Sequence, residues 1–243
     1  MIICEVGLNH MGDEKYAKNY VKGIINAKAD GVLFHIREKS FYEKFPELEL
    51  SEKFYYSISK ILKKNKIKFG ITLADPEKIE FCEKIGVDFY KIFSRDILEK
   101  ELVNKIISTK KKTFVSTGIS DLNEIKKFMN LIKNNKKQVT LIHTQLDNNI
   151  KKVNLKSIPL LKEQFKINVG YGNHCQNIFV IYLSLAFEPS DIIFYVKGDR
   201  FKKHIDNNHA VKLDNLEEII QEVRELPKGL GKKEKIKMKS RIN

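Results

Sequence analysis

A repeat constrains this chain more than any other feature. Eight short apolar runs begin near Ile2, Gly31, Ile67, Asp88, Thr113, Val139, Ile167 and Asp191, with longer amphipathic stretches between them. The runs hold about four to six residues and are rich in Ile, Val and Phe, as strands buried on both faces are. The stretches between them carry helix-start signals. Asp13 can cap a first helix running toward Ala29, with Tyr16, Ala17, Tyr20, Val21, Ile24 and Ile25 at its apolar or small positions. Ser51 opens a second, with Glu52 in its first turn. Asp75-Pro76-Glu77 reads as a cap with proline at the first helical position, and Asp121 with Glu124 has capping-box spacing. Asp214 or Asn215 starts the last helix, which carries Leu216, Ile219, Ile220 and Val223. Eight strand–helix units of roughly 20–35 residues predict an α/β fold, a single-domain (β/α)8 TIM barrel. A doubly wound open sheet is the runner-up; it usually has fewer strands, and Gly7-Leu8-Asn9-His10-Met11-Gly12 is not a G-x-G-x-x-G phosphate turn. The expected organisation is a barrel over 1–227 and a basic tail over 228–243, low in apolar residues and loosely held.

Composition narrows the function classes. A chain of 243 residues suits one barrel, and 42% hydrophobic content is enough for its core. No apolar run reaches the ~18 residues of a membrane span, and the N-terminus lacks the basic-then-apolar pattern of a signal peptide. Cys4, Cys82 and Cys175 are odd in number without metal-type spacing, so they read as reduced thiols of a cytoplasmic protein. The net charge is +14, but only five of the 45 basic residues are arginine. A nucleic-acid surface usually mixes arginine with exposed aromatics, so the charge reads first as a lysine-rich solvated surface and second as attraction of an anionic small substrate. Neither nucleic acid nor membrane is expected as a partner.

In a barrel the chemistry gathers at the carboxyl ends of the strands. Those ends read Glu5; His35 and Arg37; Thr72; Lys91 and Ser94; Ser116 and Thr117; His143 and Thr144; Asn173 and His174; then Val196, Lys197, Asp199 and Arg200. Lys91 lies among apolar neighbours, where an ammonium is poorly solvated unless it meets an anion. With Thr72, Ser94 and Ser116-Thr117-Gly118 it suggests a phosphate or carboxylate pocket; the alternative is a snorkelling lysine and ordinary turn residues. Glu5 is either a structural carboxylate held by backbone amides or a contact to substrate or metal-bound water. His174 follows a turn loosened by Gly170 and Gly172, and a neutral imidazole there can ligate a metal or move a proton. No second histidine follows in Ile193-Phe194-Tyr195-Val196-Lys197.

Taken in order, these segments resemble the sialic acid synthase family, which condenses phosphoenolpyruvate with an N-acylated amino sugar to make nonulosonic acids. Glu5-Val6-Gly7-Leu8-Asn9-His10-Met11-Gly12-Asp13 is similar to its opening E-I-G-x-N-H-x-G-D, Lys91-Ile92-Phe93-Ser94 to K-I-x-S, and Ser116-Thr117-Gly118-Ile119 to S-T-G-M. Leu141-Ile142-His143 is similar to L-L-H, Gly170-Tyr171-Gly172-Asn173-His174 to G-[YL]-S-D-H, and Asn208-His209 with Leu213 to the late D-H-x-x-S-L. The departures are as informative. In V-K-F-Q the family's phosphate-binding lysine falls on Leu33, and in I-E-K-H-F the glutamate and metal-binding histidine fall on Phe194 and Val196. Leu146, Gly172, Asn173 and Asn208 replace further polar residues.

The resemblance implies phosphoenolpyruvate and an aldose or N-acyl amino sugar as substrates, and a divalent metal, Mn or Mg, in a weakened site. Glu5 and His174 would be catalytic, Thr72, Lys91, Ser94 and Ser116 would hold the phosphate, and His174 would ligate the metal. His35, His204 or His209 would substitute for the ligand lost at Val196. Family members continue into an antifreeze-like domain, about where this chain reaches Met238–Asn243, as a natural short form or a fragment. A homodimer would then need another interface, or the chain would pair with a full-length synthase. Two readings follow: a divergent nonulosonic acid synthase in surface carbohydrate biosynthesis, or a catalytically degraded paralogue acting as a binding or regulatory partner of a full-length synthase.

Overall fold

The strands are β1 (Ile2–Gly7), β2 (Gly31–Ile36), β3 (Lys68–Leu73), β4 (Phe89–Ile92), β5 (Lys112–Ser116), β6 (Val139–His143), β7 (Asn168–Asn173) and β8 (Ile192–Lys197). Each begins within one residue of the position expected from the apolar runs. In the computed structural model, which describes residues 1–200 and 204–235, each strand pairs in parallel with the next. Strand β8 also pairs with β1, which closes the sheet into an eight-stranded barrel. A two-residue strand, β9 (Val211–Lys212), pairs with the end of β8. Of the basic segment 228–243, residues 236–243 lie outside the described residues.

Helices occupy the crossovers: α1 (Glu14–Asn26), α2 (Lys39–Lys44), α3 (Glu52–Lys64), α4 (Ile79–Lys84), α5 (Lys100–Ser108), α6 (Leu122–Leu131), α7 (Ser157–Phe165), α8 (Phe179–Leu185) and α9 (Leu216–Glu225). The capping signals act where they were read. Asp13 accepts from the Tyr16 amide at 2.8 Å, Ser51 from the Phe54 amide at 3.1 Å, and Asp121 and Glu124 form a reciprocal capping box. Asp75 accepts from the Glu77 amide, but it starts a 3-10 turn over Pro76–Lys78 that precedes α4. Helix α1 stops short of Ala29, because Lys28 takes a left-handed conformation with φ of 58°. No helix among the described residues is long and apolar enough to cross a membrane.

Two cores follow from the two-residue period of the strands. Ile3, Leu33, Phe89, Phe114, Ile142 and Ile193 point inward and fill the barrel. The alternate residues, including Cys4, Val32, Phe34, Tyr90, Phe194 and Val196, pack against the helices. Filling the barrel requires Gly70: a Cβ there would lie 2.1 Å from the Phe89 ring. A register shift between Glu5 and Gly7 bends the end of β1, a device common beside active sites.

Candidate active site

Register brings one layer of polar side chains together above the inner core. Glu5 pairs with Leu33 on one side and Tyr195 on the other, His35 pairs with Thr72, and Thr72 with Lys91. The Glu5 carboxylate therefore receives three side chains at once. The Lys91 ammonium donates to both of its oxygens at 2.7 and 2.6 Å, His35 Nε2 lies at 2.7 Å and the Thr72 hydroxyl at 3.3 Å. Glu5 and Lys91 are 1% and 5% exposed, so the pair is cut off from water. Burial alone would raise the Glu5 carboxyl, but the Lys91 charge and the His35 hydrogen bond outweigh it and hold it well below the usual carboxylate range. Burial pushes His35 below the ordinary histidine range despite the pull of Glu5, which leaves a neutral ring donating through Nε2–H. Among the described residues, Ser94 and Ser116 are buried at the ends of β4 and β5 but stand outside this hydrogen-bond network. Thr144, at the end of β6, has a buried hydroxyl with no hydrogen-bond partner.

A second group faces the first across the ring of Tyr195. The His174 and His209 rings are 4.6 Å apart, and Tyr195 meets them edge-on at 5.3 and 5.1 Å. Lys91 Nζ lies 5.8 Å from the Tyr195 centroid. His174 is pushed down to about 3 by burial, with the neighbouring His209 and Lys91 adding to the effect, and His209 to about 4, mainly by burial. Both rings are neutral near pH 7 and carry a lone pair. His209 comes from the loop before β9, and that loop is anchored by Asn9, whose side chain donates to Val196 O at 2.9 Å and accepts from the Asp206 amide at 3.0 Å. Burial and the Glu5 charge raise the Asp206 carboxyl to about 7, partly offset by Lys91, and its Oδ1 lies 3.7 Å from His209 Nε2, beyond hydrogen-bond reach.

The structure changes the assignment of the strand-eight position. Val196 lies in the outer core against the helices, as does Phe194. A one-residue slip in a strand moves every side chain to the other face. The inward residue at the mouth is Tyr195, so a tyrosine rather than a valine stands where a strand-eight ligand would point. The suggested substitutes separate clearly. His35 joins Glu5, His209 joins His174, and His204 goes to the Tyr16 hydroxyl at 3.0 Å. His143 turns outward, with Nε2 at 2.9 Å from Val153 O. His10 Nδ1 accepts from the Gly12 amide, so it serves the turn after β1. Sequence reasoning did not single out Tyr195, Asn9, Asn148 or Asp206.

A divalent metal fits this mouth only as the guest of a pair of imidazoles. Among the described residues no three His, Cys, Asp or Glu side chains form a ligand group. His209 Nε2, however, is a buried nitrogen with no hydrogen-bond partner beside His174, which suits a ligand atom. Water and substrate oxygens would complete such a site.

A closed barrel with a buried carboxylate–ammonium pair and an imidazole pair at the carboxyl ends of its strands is a TIM barrel with polar groups gathered at the face where such barrels carry their sites. The NeuB family model matches residues 15–235, and the chain belongs to the NeuB family. It is 32% identical to an uncharacterised protein of Methanocaldococcus jannaschii, over 98% of this chain and 74% of that protein. It is 27% identical to the N,N'-diacetyllegionaminic acid synthase of Campylobacter jejuni, over 95% of this chain and 77% of that one. The crystal structure of the N-acetylneuraminic acid synthetase of Leptospira borgpetersenii, in complex with citrate, superposes with a TM-score of 0.89 at 25% identity and covers 98% of this chain and 87% of that one.

Proposed function

We propose that this chain is a nonulosonic acid-type synthase of surface carbohydrate biosynthesis, condensing phosphoenolpyruvate with the aldehyde of an amino sugar. One observation carries the reading: the Glu5–Lys91 pair faces the imidazoles of His174 and His209 across Tyr195 at the mouth of a NeuB-family barrel. The reaction joins C3 of the enolpyruvate to the aldehyde carbon, whose oxygen takes a proton. Water adds at C2, and the bond from C2 to the phosphate oxygen breaks. Lys91, Thr72, Ser94 and Ser116 would receive the phosphate. An incoming phosphate competes with Glu5 for the Lys91 ammonium, leaving one Glu5 oxygen to take the proton of the attacking water while His35 holds the other. Tyr195 excludes water between the two groups. When bound at His174, a divalent metal such as Mn or Mg supplies Lewis-acid polarisation of the aldehyde oxygen.

The test is phosphate release by the purified chain from phosphoenolpyruvate, Mn²⁺ and a panel of N-acetylated and plain aldoses. Release with at least one sugar, lost in Lys91→Met, supports the proposal. Silence across a panel on which a full-length relative reacts would sink it. One observation favours a binding or regulatory paralogue instead: Leu33, fully buried, stands where the family's phosphate lysine falls, and Glu5 occupies Lys91 through both oxygens. That reading predicts no phosphate release by the chain alone and altered turnover of a full-length synthase mixed with it.

A further inference from the structure

We infer that the second metal ligand of this barrel has moved from strand β8 to the loop before β9, with His209 as the ligand and Asn148 as the group that orients it. The inference deepens the proposed function, since it concerns the same mouth, but it requires only that the mouth bind a divalent cation.

Three observations converge. The first is exclusion. The inward position on β8 is filled by Tyr195, whose ring stands edge-on to both imidazoles, at 73° to His174 and 87° to His209. The strand therefore offers no imidazole, and the ring that meets His174 arrives from the loop instead. The second is tautomer control. His209 Nδ1 lies 3.2 Å from Asn148 Oδ1, an acceptor, so the ring proton sits on Nδ1. Nε2 is then the lone-pair nitrogen; His209 is only 9% exposed, and this atom has no hydrogen-bond partner. A metal-binding histidine is held in this way, with its second nitrogen donating to an oxygen of the protein. The third is spacing. Two imidazole nitrogens about 2.1 Å from one cation, at a right angle to each other, place their ring centres about 4.6 Å apart. The His174 and His209 centres are 4.6 Å apart. The two rings are tilted at 31°, and a cation between them would give the unpartnered Nε2 of His209 a partner.

The loop is built to hold His209 there. Asn9 ties it to β8 by donating to Val196 O and accepting from the Asp206 amide, and Asn148 comes from the β6–α7 segment to meet the ring. Asp206 Oδ1 lies 3.7 Å from Nε2, an oxygen on the side of that nitrogen. The right angle suits a six-coordinate divalent ion that accepts nitrogen donors and keeps positions for water and substrate oxygen, such as Mn²⁺ or Co²⁺.

The experiment uses the full chain stripped of metal. Co²⁺ binding is followed by visible absorption and Mn²⁺ binding by electron paramagnetic resonance, for wild type, His174→Gln, His209→Gln and Asn148→Ala. The expected result is one bound ion in the wild type, with affinity lowered at least about 10-fold in each histidine variant and about 10-fold in Asn148→Ala. A thermal melt of each variant shows whether it is folded, and Asn148→Ala removes only the orienting amide if a histidine variant is not. A wild type that binds neither ion overturns the inference, and so does His209→Gln binding as tightly as wild type. Phosphate release is measured on the same samples. Metal binding that depends on His209 without phosphate release supports the relocated ligand and removes the synthase reading. Phosphate release with binding indifferent to His209 does the reverse.

Discussion

Replacing Lys91 by methionine separates a buried ion pair from a decorative one. The substitution keeps the length and apolar stem of the side chain and removes only the ammonium. Glu5 then loses two hydrogen bonds of 2.6 and 2.7 Å and the charge that holds its carboxyl low, and keeps His35 and Thr72. Because Glu5 is 1% exposed, water cannot replace what is lost. Breaking one side of a buried pair costs about 3–5 kcal/mol, against about 0–1 kcal/mol for an exposed one. For a chain of this size that corresponds to a fall of roughly 6–20 °C in Tm. Urea denaturation at pH 7 gives the number directly, and Glu5→Gln/Lys91→Met should recover most of the loss, since neither member is then left charged. The pH dependence has a definite sign. In the wild type Glu5 is held below its ordinary range, so its contribution is present at neutral pH and is lost only as pH falls through that lowered value. In Lys91→Met burial dominates and raises the Glu5 carboxyl, so protonation relieves the variant as pH falls, and the gap to wild type narrows toward acid. A cost below about 1 kcal/mol at pH 7, or a gap that widens toward acid, would refute the reasoning.

Gly70→Ala places a Cβ 2.1 Å from the Phe89 ring inside the barrel and should cost at least about 1–3 kcal/mol by overpacking; an unchanged denaturation midpoint would show that the barrel interior yields. Asp121→Ala removes the capping box of α6 and should cost about 0.5–2 kcal/mol, while Asp121→Asn costs less. Burial pushes the Cys82 thiol up to about 12, so native protein should resist alkylation at pH 8 until urea unfolds it. Because that thiol is raised above its unfolded value of 9.0, stability should fall as pH climbs through the interval, and less steeply in Cys82→Ala.

The barrel was legible because its signals are local. Two-faced burial writes each strand as a continuous apolar run, and caps such as Ser51 and Asp121 act within a single turn. The first half of the mouth was legible for a related reason: Glu5, Thr72 and Lys91 are polar residues in otherwise apolar strands, so each marks its own inward face. Strand eight has no such mark. Ile192, Ile193, Phe194, Tyr195 and Val196 are all buried, so their sequence carries no alternation to show which of them enters the barrel. A motif aligned there without its polar residues slips by one, and the slip exchanges Tyr195 for Val196. The second half of the mouth was hidden by distance. His209 reaches His174 only because Asn9, near the start of the chain, holds the loop by side-chain bonds to backbone groups about 190 residues away.

These two blind spots describe one event in the site. A barrel strand places a side chain through ladder hydrogen bonds to both neighbours, whereas a loop places it through whatever contacts the loop makes. With Tyr195 on the strand and His209 on the loop, the position of the second imidazole depends on Asn9 and Asn148 rather than on the sheet. The Glu5, Thr72 and Lys91 side of the mouth sits on three strands, two of them adjacent, and its hydrogen bonds run between strand residues. The two halves are therefore built differently: the proposed phosphate contacts would rest on strands, and the imidazole pair rests on the loop that carries His209.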